Sequence, residues 1–191
     1  MPVWVRDFLL IHSGAVTIGD RAVLVPAEMD TGKSTTVTAL LRAGARYLSD
    51  ELGALDPVTR NVYPYPKRIT LDQETLAFFP GLEEGLGDRA GAMETLTQRY
   101  VRPEDCDSSI AAPAPLGAVV FPTKDREGPP RLEPVPASEA AWLLARNARN
   151  LYRYADRGVL MLGQMCGDAQ AYRLSGGTPV ERADLLMERL A

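Results

Sequence analysis

The stretch from Arg21 to Gly44 constrains this chain most. Arg21-Ala22-Val23-Leu24-Val25 is apolar and rich in β-branched residues, Pro26 to Gly32 carry no hydrophobic period, and Val37, Leu40 and Leu41 then fall at helical spacing. Gly44 stands where such a helix would stop. A strand that feeds through a short irregular loop into an amphipathic helix needs a sheet for the helix to lie on, so the chain is expected to be α/β.

The loop itself points to a chemistry. Cradling phosphates takes consecutive backbone N–H groups at a helix N-terminus, a lysine for the outer phosphates and a hydroxyl beside it for a metal ion. The sequence pattern that meets this need is G-x-x-x-x-G-K-[ST] between strand and helix. Ala27-Glu28-Met29-Asp30-Thr31-Gly32-Lys33-Ser34 matches it with alanine at the first glycine. The triplet Gly32-Lys33-Ser34 alone is compatible with an ordinary solvated helix start; the strand before it and the helix after it are the context the motif requires. Residues Ala27 to Thr35 are therefore the candidate nucleotide-binding segment. Gly85-Leu86-Gly87-Asp88-Arg89-Ala90-Gly91 has the wrong spacing for a dinucleotide loop and no strand before it, and reads as a surface connection.

Upstream, Phe8 to Ile11 and Ala15 to Ile18 read as strands, the second joined to Arg21–Val25 by the turn Gly19-Asp20. Downstream, strands are expected at Ala45–Leu48, Gly53–Asp56, Asn61–Tyr65, Leu116–Phe121 and Ala169–Leu174. One helix starts near Ser138 with the stripe Ala141, Leu144, Ala145, Ala148, Leu151 and Tyr152, and a shorter one covers Val159 to Met165. Thr178-Pro179-Val180-Glu181 has the form of a capping box opening a last helix. Residues 80–115 are glycine- and proline-rich and read as loop. No repeat or linker divides the chain, so a single domain over 1–191 is expected.

Asp50 and Glu51 end the strand that follows the phosphate-loop helix. In parallel α/β layouts that strand end lies on the same edge as the loop. Adjacent residues leaving a strand point to different sides, so one carboxylate can serve a metal while the other faces an acceptor hydroxyl. Lys67-Arg68 is a basic pair that could face phosphate or an anionic acceptor, with Arg68 as the candidate substrate contact, or could lie on the solvated surface. His12 is the only histidine, and lone histidines are usually structural.

Composition narrows the partners. With 21 basic and 25 acidic residues the net charge is −4, which does not suit a duplex nucleic-acid partner. No stretch reaches the roughly 20 apolar residues of a membrane span, and the start lacks the features of a signal peptide, so a cytoplasmic location is expected. Cys106 and Cys166 are too few for a disulfide framework, and with one histidine they do not make a four-ligand zinc site. Arginine dominates the cations; Lys33, Lys67 and Lys124 are the only lysines.

Ile11-His12-Ser13-Gly14, Val23-Leu24-Val25, Gly32-Lys33-Ser34 and Tyr47-Leu48-Ser49-Asp50-Glu51, taken in order, resemble the HPr kinase/phosphorylase family and its shorter HPr-kinase-like members in particular. Pro66-Lys67-Arg68-Ile69-Thr70-Leu71 and Pro115 to Phe121 extend the resemblance. It implies the fold shared with phosphoenolpyruvate carboxykinases: a mixed sheet carrying the phosphate loop, flanking helices and a second antiparallel sheet. It also implies transfer of a phosphoryl group from ATP, or another nucleoside triphosphate, with Mg2+ to a serine-type hydroxyl. Lys33 would then be the phosphate-loop lysine, Ser34 and Glu51 would hold the metal, Asp50 would act as general base, and His12 would sit beside it. The acceptor is a peptide, protein or small molecule bearing a hydroxyl, and the oligomeric state is open, a homo-oligomer included. The alternative is a nucleotide-binding regulatory module that keeps the fold without transfer. A carboxykinase-like activity on an oxo-acid fits less well, because the metal-binding His/Lys set is missing.

Overall fold

The structure is a computed structural model that describes residues 7–27, 31–82, 98–155 and 157–191. Glu28, Met29 and Asp30 of the candidate nucleotide-binding segment, most of the glycine-rich stretch and the first six residues lie outside the described residues.

Strands β1 (Leu9–Ile18) and β2 (Arg21–Pro26) form a hairpin about Gly19, whose φ of +59° suits glycine. Helix α1 (Lys33–Arg42) follows, then β3 (Arg46–Ser49), β4 (Leu52–Leu55) and β5 (Asn61–Tyr63). A small antiparallel sheet pairs β6 (Ile69–Asp72) with β7 (Gln98–Val101), and the short helix α2 (Gln73–Leu76) follows β6 directly. The chain continues through β8 (Ala114–Pro122), β9 (Arg131–Pro134), α3 (Ala137–Asn147), α4 (Arg157–Asp168), β10 (Gln170–Ser175) and α5 (Pro179–Leu190).

Among the described residues eight strands join in one mixed sheet. Around the hairpin the order is β3-β1-β2-β8-β10-β9, while the first half of β1 turns aside to pair with β4, and β5 links β4 to the start of β8. Both β2 and β3 are antiparallel to β1, and β8 and β10 run parallel to β2. The ends of β2, β3, β8 and β10 therefore share one edge with the beginning of β1.

Alternation explains why the sheet is buried on both faces. Val23 and Val25 of β2, with Val16, Ile18, Ala118 and Val120, pack under α1 and α5 against Val37, Leu40 and Leu186. Ala22 and Leu24, with Ala15, Val119 and Phe121, pack on the other side against Leu144, Leu162 and Met165 of α3 and α4. Runs apolar at every position are what such a doubly covered strand requires.

Four consecutive residues of helix α1, Thr35, Thr36, Val37 and Thr38, are β-branched with low intrinsic helix propensity, and tertiary burial carries this part of it. Gly32 caps it in the left-handed region at φ 86°, and Thr36 Oγ1 donates back to the Gly32 carbonyl at 2.8 Å. It ends at Gly44, φ +104°, with Gly44 N–H donating to Leu41 O and Ala45 N–H to Leu40 O. The capping box on α5 is present, with Thr178 N–H donating to Glu181 Oε2 at 2.8 Å and Glu181 N–H to Thr178 Oγ1 at 3.3 Å.

Several elements differ from expectation. Residues 9–11 and 15–18 belong to one unbroken strand, with Phe8 before it, so His12 lies within β1 and not at a strand end. Helix α3 stops at Asn147: Ala148 turns extended and bridges Ile11, and Arg149 N–H donates to Leu10 O, so Leu151 and Tyr152 fall in a separate 3-10 turn. The unpaired edge of β1 takes the chain away from the helix. Helix α4 is longer than Val159–Met165, and β7 lies inside the stretch expected to be loop. The edge strand β9 has no strand signature in the sequence, since Leu132 is the one large apolar side chain in Arg131-Leu132-Glu133-Pro134; proline is tolerated at such an edge.

The contact between β1 and α1 is close. A Cβ on Gly14 would lie 2.4 Å from Val37 Cγ2, which belongs to a stiff, fully buried side chain. Gly14→Ala is expected to push α1 off the sheet and to cost about 1–3 kcal/mol. Urea unfolding should show a lower midpoint with an unchanged slope; an unchanged midpoint would refute this packing.

Candidate functional site

The shared sheet edge collects five of the residues singled out from sequence. Lys33 and Ser34 open α1 at the end of the β2 loop. His12 and Ser13 enter from β1. Asp50 and Glu51 form the tight link between β3 and β4, where Ser49 Oγ accepts from Glu51 N–H at 3.1 Å and Leu52 N–H at 3.0 Å. Ser13 N–H donates to Glu51 O at 3.1 Å and ties that link to β1. Gly53 allows this closeness, since a Cβ there would stand 2.7 Å from Ser13 Oγ and 2.6 Å from Leu24 Cδ2.

Asp50 is the centre of the cluster. Its side chain is only 3% exposed, whereas that of Glu51 is 49% exposed. A buried carboxylate needs partners, and three converge here. Lys67 Nζ lies 3.3 Å from Asp50 Oδ1 and 3.2 Å from Glu51 Oε2, bridging the two acids. Ser34 Oγ approaches Asp50 Oδ2 at 3.4 Å. Tyr47 OH lies 3.5 Å from Asp50 Oδ1 and 3.0 Å from the Lys67 carbonyl. A phenol has one proton, so the shorter contact to Lys67 O is the stronger and the approach to Asp50 is marginal. Burial, with the Asp50 charge beside it, raises the Tyr47 pKa, so the hydroxyl stays a donor.

Lys33 Nζ lies 3.3 Å from His12 Nε2. An ammonium has only protons to give, so it donates and the imidazole accepts, which requires an unprotonated Nε2. The electrostatics agree. Burial, then the charges of Lys33 and Arg149, lower the His12 pKa to about 4, against a smaller opposing pull from Glu51. Burial also lowers Lys33, aided by Lys67 and Arg149 and opposed by Asp50 and Glu51. Lys67 moves the other way: burial acts to lower it, and the adjoining Asp50 and Glu51 outweigh that and raise it.

The remaining candidates divide. Ala27 is buried just past β2, and Thr31 and Gly32 are partly exposed at the mouth of the loop. Thr35 does not offer its hydroxyl to the loop: Thr35 Oγ1 and Thr75 Oγ1 lie 2.9 Å apart, both buried, and pin α1 to α2. Glu28, Met29 and Asp30 lie outside the described residues. Arg68 is exposed and makes no hydrogen bond or ion pair with any described residue, while its neighbour Lys67 reaches the carboxylates. Sequence reasoning gave Lys67 no role of its own, although one of three lysines in an arginine-dominated chain was the available signal. Tyr47 and Arg149 carried no signal, because their roles depend on strand pairing.

The donors around Ser34, Asp50 and Glu51 are hard oxygens. Among the described residues no group of three or more His, Cys, Asp and Glu is placed to hold a metal ion. Also among the described residues, no helix is long and apolar enough to cross a membrane. No protein-family description matches the sequence, and no curated protein matches it significantly.

The His12 environment makes a pH prediction. Its folded pKa lies below the unfolded value near 6.5, so the unfolded chain binds the proton first. The stability associated with neutral His12 is complete above about pH 6.5 and declines as pH falls toward about 4. His12→Gln should remove that part of the acid-side decline. With one histidine in the chain, the imidazole proton resonances can be followed directly by NMR; a midpoint near 6.5 would contradict the burial and the contact with Lys33.

Proposed function

We propose that this chain is a kinase of the HPr-kinase-like type, transferring the γ-phosphoryl group of ATP, with magnesium, to a hydroxyl of a peptide, protein or small molecule. The observation that carries this reading is the meeting of Lys33 and Ser34 from the phosphate loop with Asp50, Glu51 and His12 at one sheet edge. The mixed sheet with helices on both faces and a small antiparallel sheet beside it is compatible with that fold, and more general than it.

In this reading the backbone N–H groups at the start of α1 and the Lys33 ammonium hold the outer phosphates. The acceptor oxygen bonds to the γ-phosphorus, the bond from that phosphorus to the bridging oxygen breaks, and the departing diphosphate keeps the electron pair. Asp50 takes the proton from the acceptor hydroxyl. Tyr47 and Lys67 hold the carboxylate in place, and neutral His12 orients the Lys33 ammonium by accepting from it. Magnesium fits the oxygen donors of Ser34 and Glu51, because this ion is commonly held by one or two protein oxygens with phosphate oxygens completing its shell. Its contribution would be to neutralise charge between the β- and γ-phosphates.

One observation favours a second reading, a nucleotide-binding regulatory module without transfer. Lys67 bridges both carboxylates, so a cation already occupies the space between them. ATP consumption with and without candidate acceptors separates the two, since a module without transfer turns over in neither case.

Two substitutions test the roles. Lys33→Ala should weaken ATP binding and transfer together, by about 1.5–3 kcal/mol for a lost charge-assisted contact; unchanged calorimetric affinity would remove the loop from consideration as the phosphate site. Asp50→Asn keeps the side-chain shape without its basicity, so single-turnover transfer should fall about 10²–10⁴-fold while ATP affinity stays within a few-fold. Transfer at the wild-type rate would rule out Asp50 as base.

A further inference from the structure

The same sheet edge carries a second built region, on the far side of the phosphate loop from Asp50. A cavity of about 280 Å³ is lined by Thr31 of that loop, Glu74 of α2, and Thr123, Lys124 and Arg126 from the loop after β8. Strand order sets the direction. The phosphate loop leaves β2, which lies between β1, with His12 and the neighbouring Asp50 link, and β8, which feeds this second loop. A phosphate chain lying across the loop with its reacting end toward Asp50 has its other end toward β8.

The loop after β8 is firmly held. Arg182 of α5 is 5% exposed and donates Nε to Gly176 O at 2.6 Å, one terminal nitrogen to Thr123 O at 3.1 Å and the other to Asp125 O. Gly176 N–H returns a bond to Asp125 O at 2.9 Å, and Thr123 N–H donates to Leu174 O at 2.9 Å. Thr123 and Asp125 are thus fixed through the backbone, with Lys124 between them and Arg126 next in the chain. Arg126 is fixed through its side chain, its guanidinium carbon 4.8 Å from the Phe78 ring centre and its NH1 3.9 Å from Glu74 Oε1. Lys124 makes no ion pair with any described residue.

We propose that this cavity seats the nucleoside end of the phosphate donor, with Lys124 on its α-phosphate and the flat Arg126 guanidinium against its base. The proposal rests on the phosphate-loop reading above. The size supports an end and not a whole ligand, because sites for complete small molecules run to about 300–1,000 Å³. A planar cation beside an aromatic ring suits a base, whose π-face needs no particular hydrogen-bond pattern. A lysine beside it suits the adjacent phosphate as a point charge.

The experiment compares the magnesium complexes of ATP and of inorganic tripolyphosphate, which has the phosphates without the nucleoside, by calorimetry on the full chain. Wild type should bind ATP more tightly than tripolyphosphate. Arg126→Ala should weaken ATP by about two- to thirtyfold and leave tripolyphosphate within about twofold. Lys124→Ala should weaken both, because both retain a third phosphate. Equal wild-type affinities, an Arg126→Ala loss shared by both ligands, or a Lys124→Ala variant that binds both as wild type does would overturn the nucleoside seat and leave the phosphate loop standing. A wild-type chain that binds neither ligand overturns both readings.

Discussion

The candidate site hangs on one buried carboxylate. Taking Asp50 out of water costs several kcal/mol unless charge and hydrogen bonds replace the lost hydration, and those replacements come from separate parts of the chain. Lys67 arrives from the segment before β6, Ser34 from the first turn of α1, and Tyr47 from β3 itself. Ser34 reaches Asp50 because β1 lies between β2 and β3 and both run opposite to it. Removing the carboxylate charge would leave Lys67 to Glu51 alone. A half-exposed Glu51 sits beside a nearly inaccessible neighbour. The tight link closed by Ser49 Oγ places the two side chains in different surroundings.

Two cations therefore organise the two ends of one sheet edge in different ways. Lys67 neutralises side-chain carboxylates and fixes the link after β3. Arg182 meets no carboxylate among its bonded partners; it gathers the carbonyls of Thr123, Asp125 and Gly176 and fixes the loops after β8 and β10. Its guanidinium is planar with five donors, which suits several carbonyls at once in a way that an ammonium on a flexible stem does not. Glycine is required there as well. Gly176 has φ +66°, and a Cβ on it would lie 2.2 Å from Pro129 O. Strand β2, after which Thr31 and Gly32 lead into α1, lies between β1 and β8, and so between these two anchored regions.

The periodic and punctuated features were legible in the sequence. β2, α1 with its Gly44 stop, β8 and the Thr178 capping box all follow from local rules: alternation, helical spacing, positive φ and reciprocal capping. The proximity of Lys33 and Ser34 to Asp50 was legible too, because a strand–loop–helix followed by a returning strand brings the loop and the next strand end to one edge, whereas His12 came to the site only through the resemblance. What local rules did not carry were features decided by a partner. α3 ends where β1 offers an edge to Ala148. β9 exists because β10 has a side to pair with. Thr35 turns to Thr75, forty positions away, and not to the loop in which it stands. Lys67 and Arg68 look equivalent as neighbours in sequence, and the different directions of consecutive residues bring only the first to the carboxylates.

The charge balance shapes what the site can accept. Lys33 and Lys67 stand against Asp50 and Glu51, and His12 adds no charge at neutral pH, because burial and two nearby cations hold its pKa at about 4. Had the imidazole been charged, Nε2 would have lost its lone pair to a proton and could not accept from Lys33, and three cations would crowd one end of α1. A neutral imidazole instead fixes the direction of the ammonium without competing for an anion. Under the kinase reading an entering triphosphate meets repulsion from Asp50 and Glu51 as well as attraction from Lys33, with Arg149 adding to the positive side. Under the same reading a divalent cation brought with the nucleotide would offset that repulsion, and Glu51, the more exposed of the two partners of Lys67, is the carboxylate it would reach. The asymmetry in exposure between the adjacent acids leaves Glu51 open to an entering ion and Asp50 shielded beside Lys67.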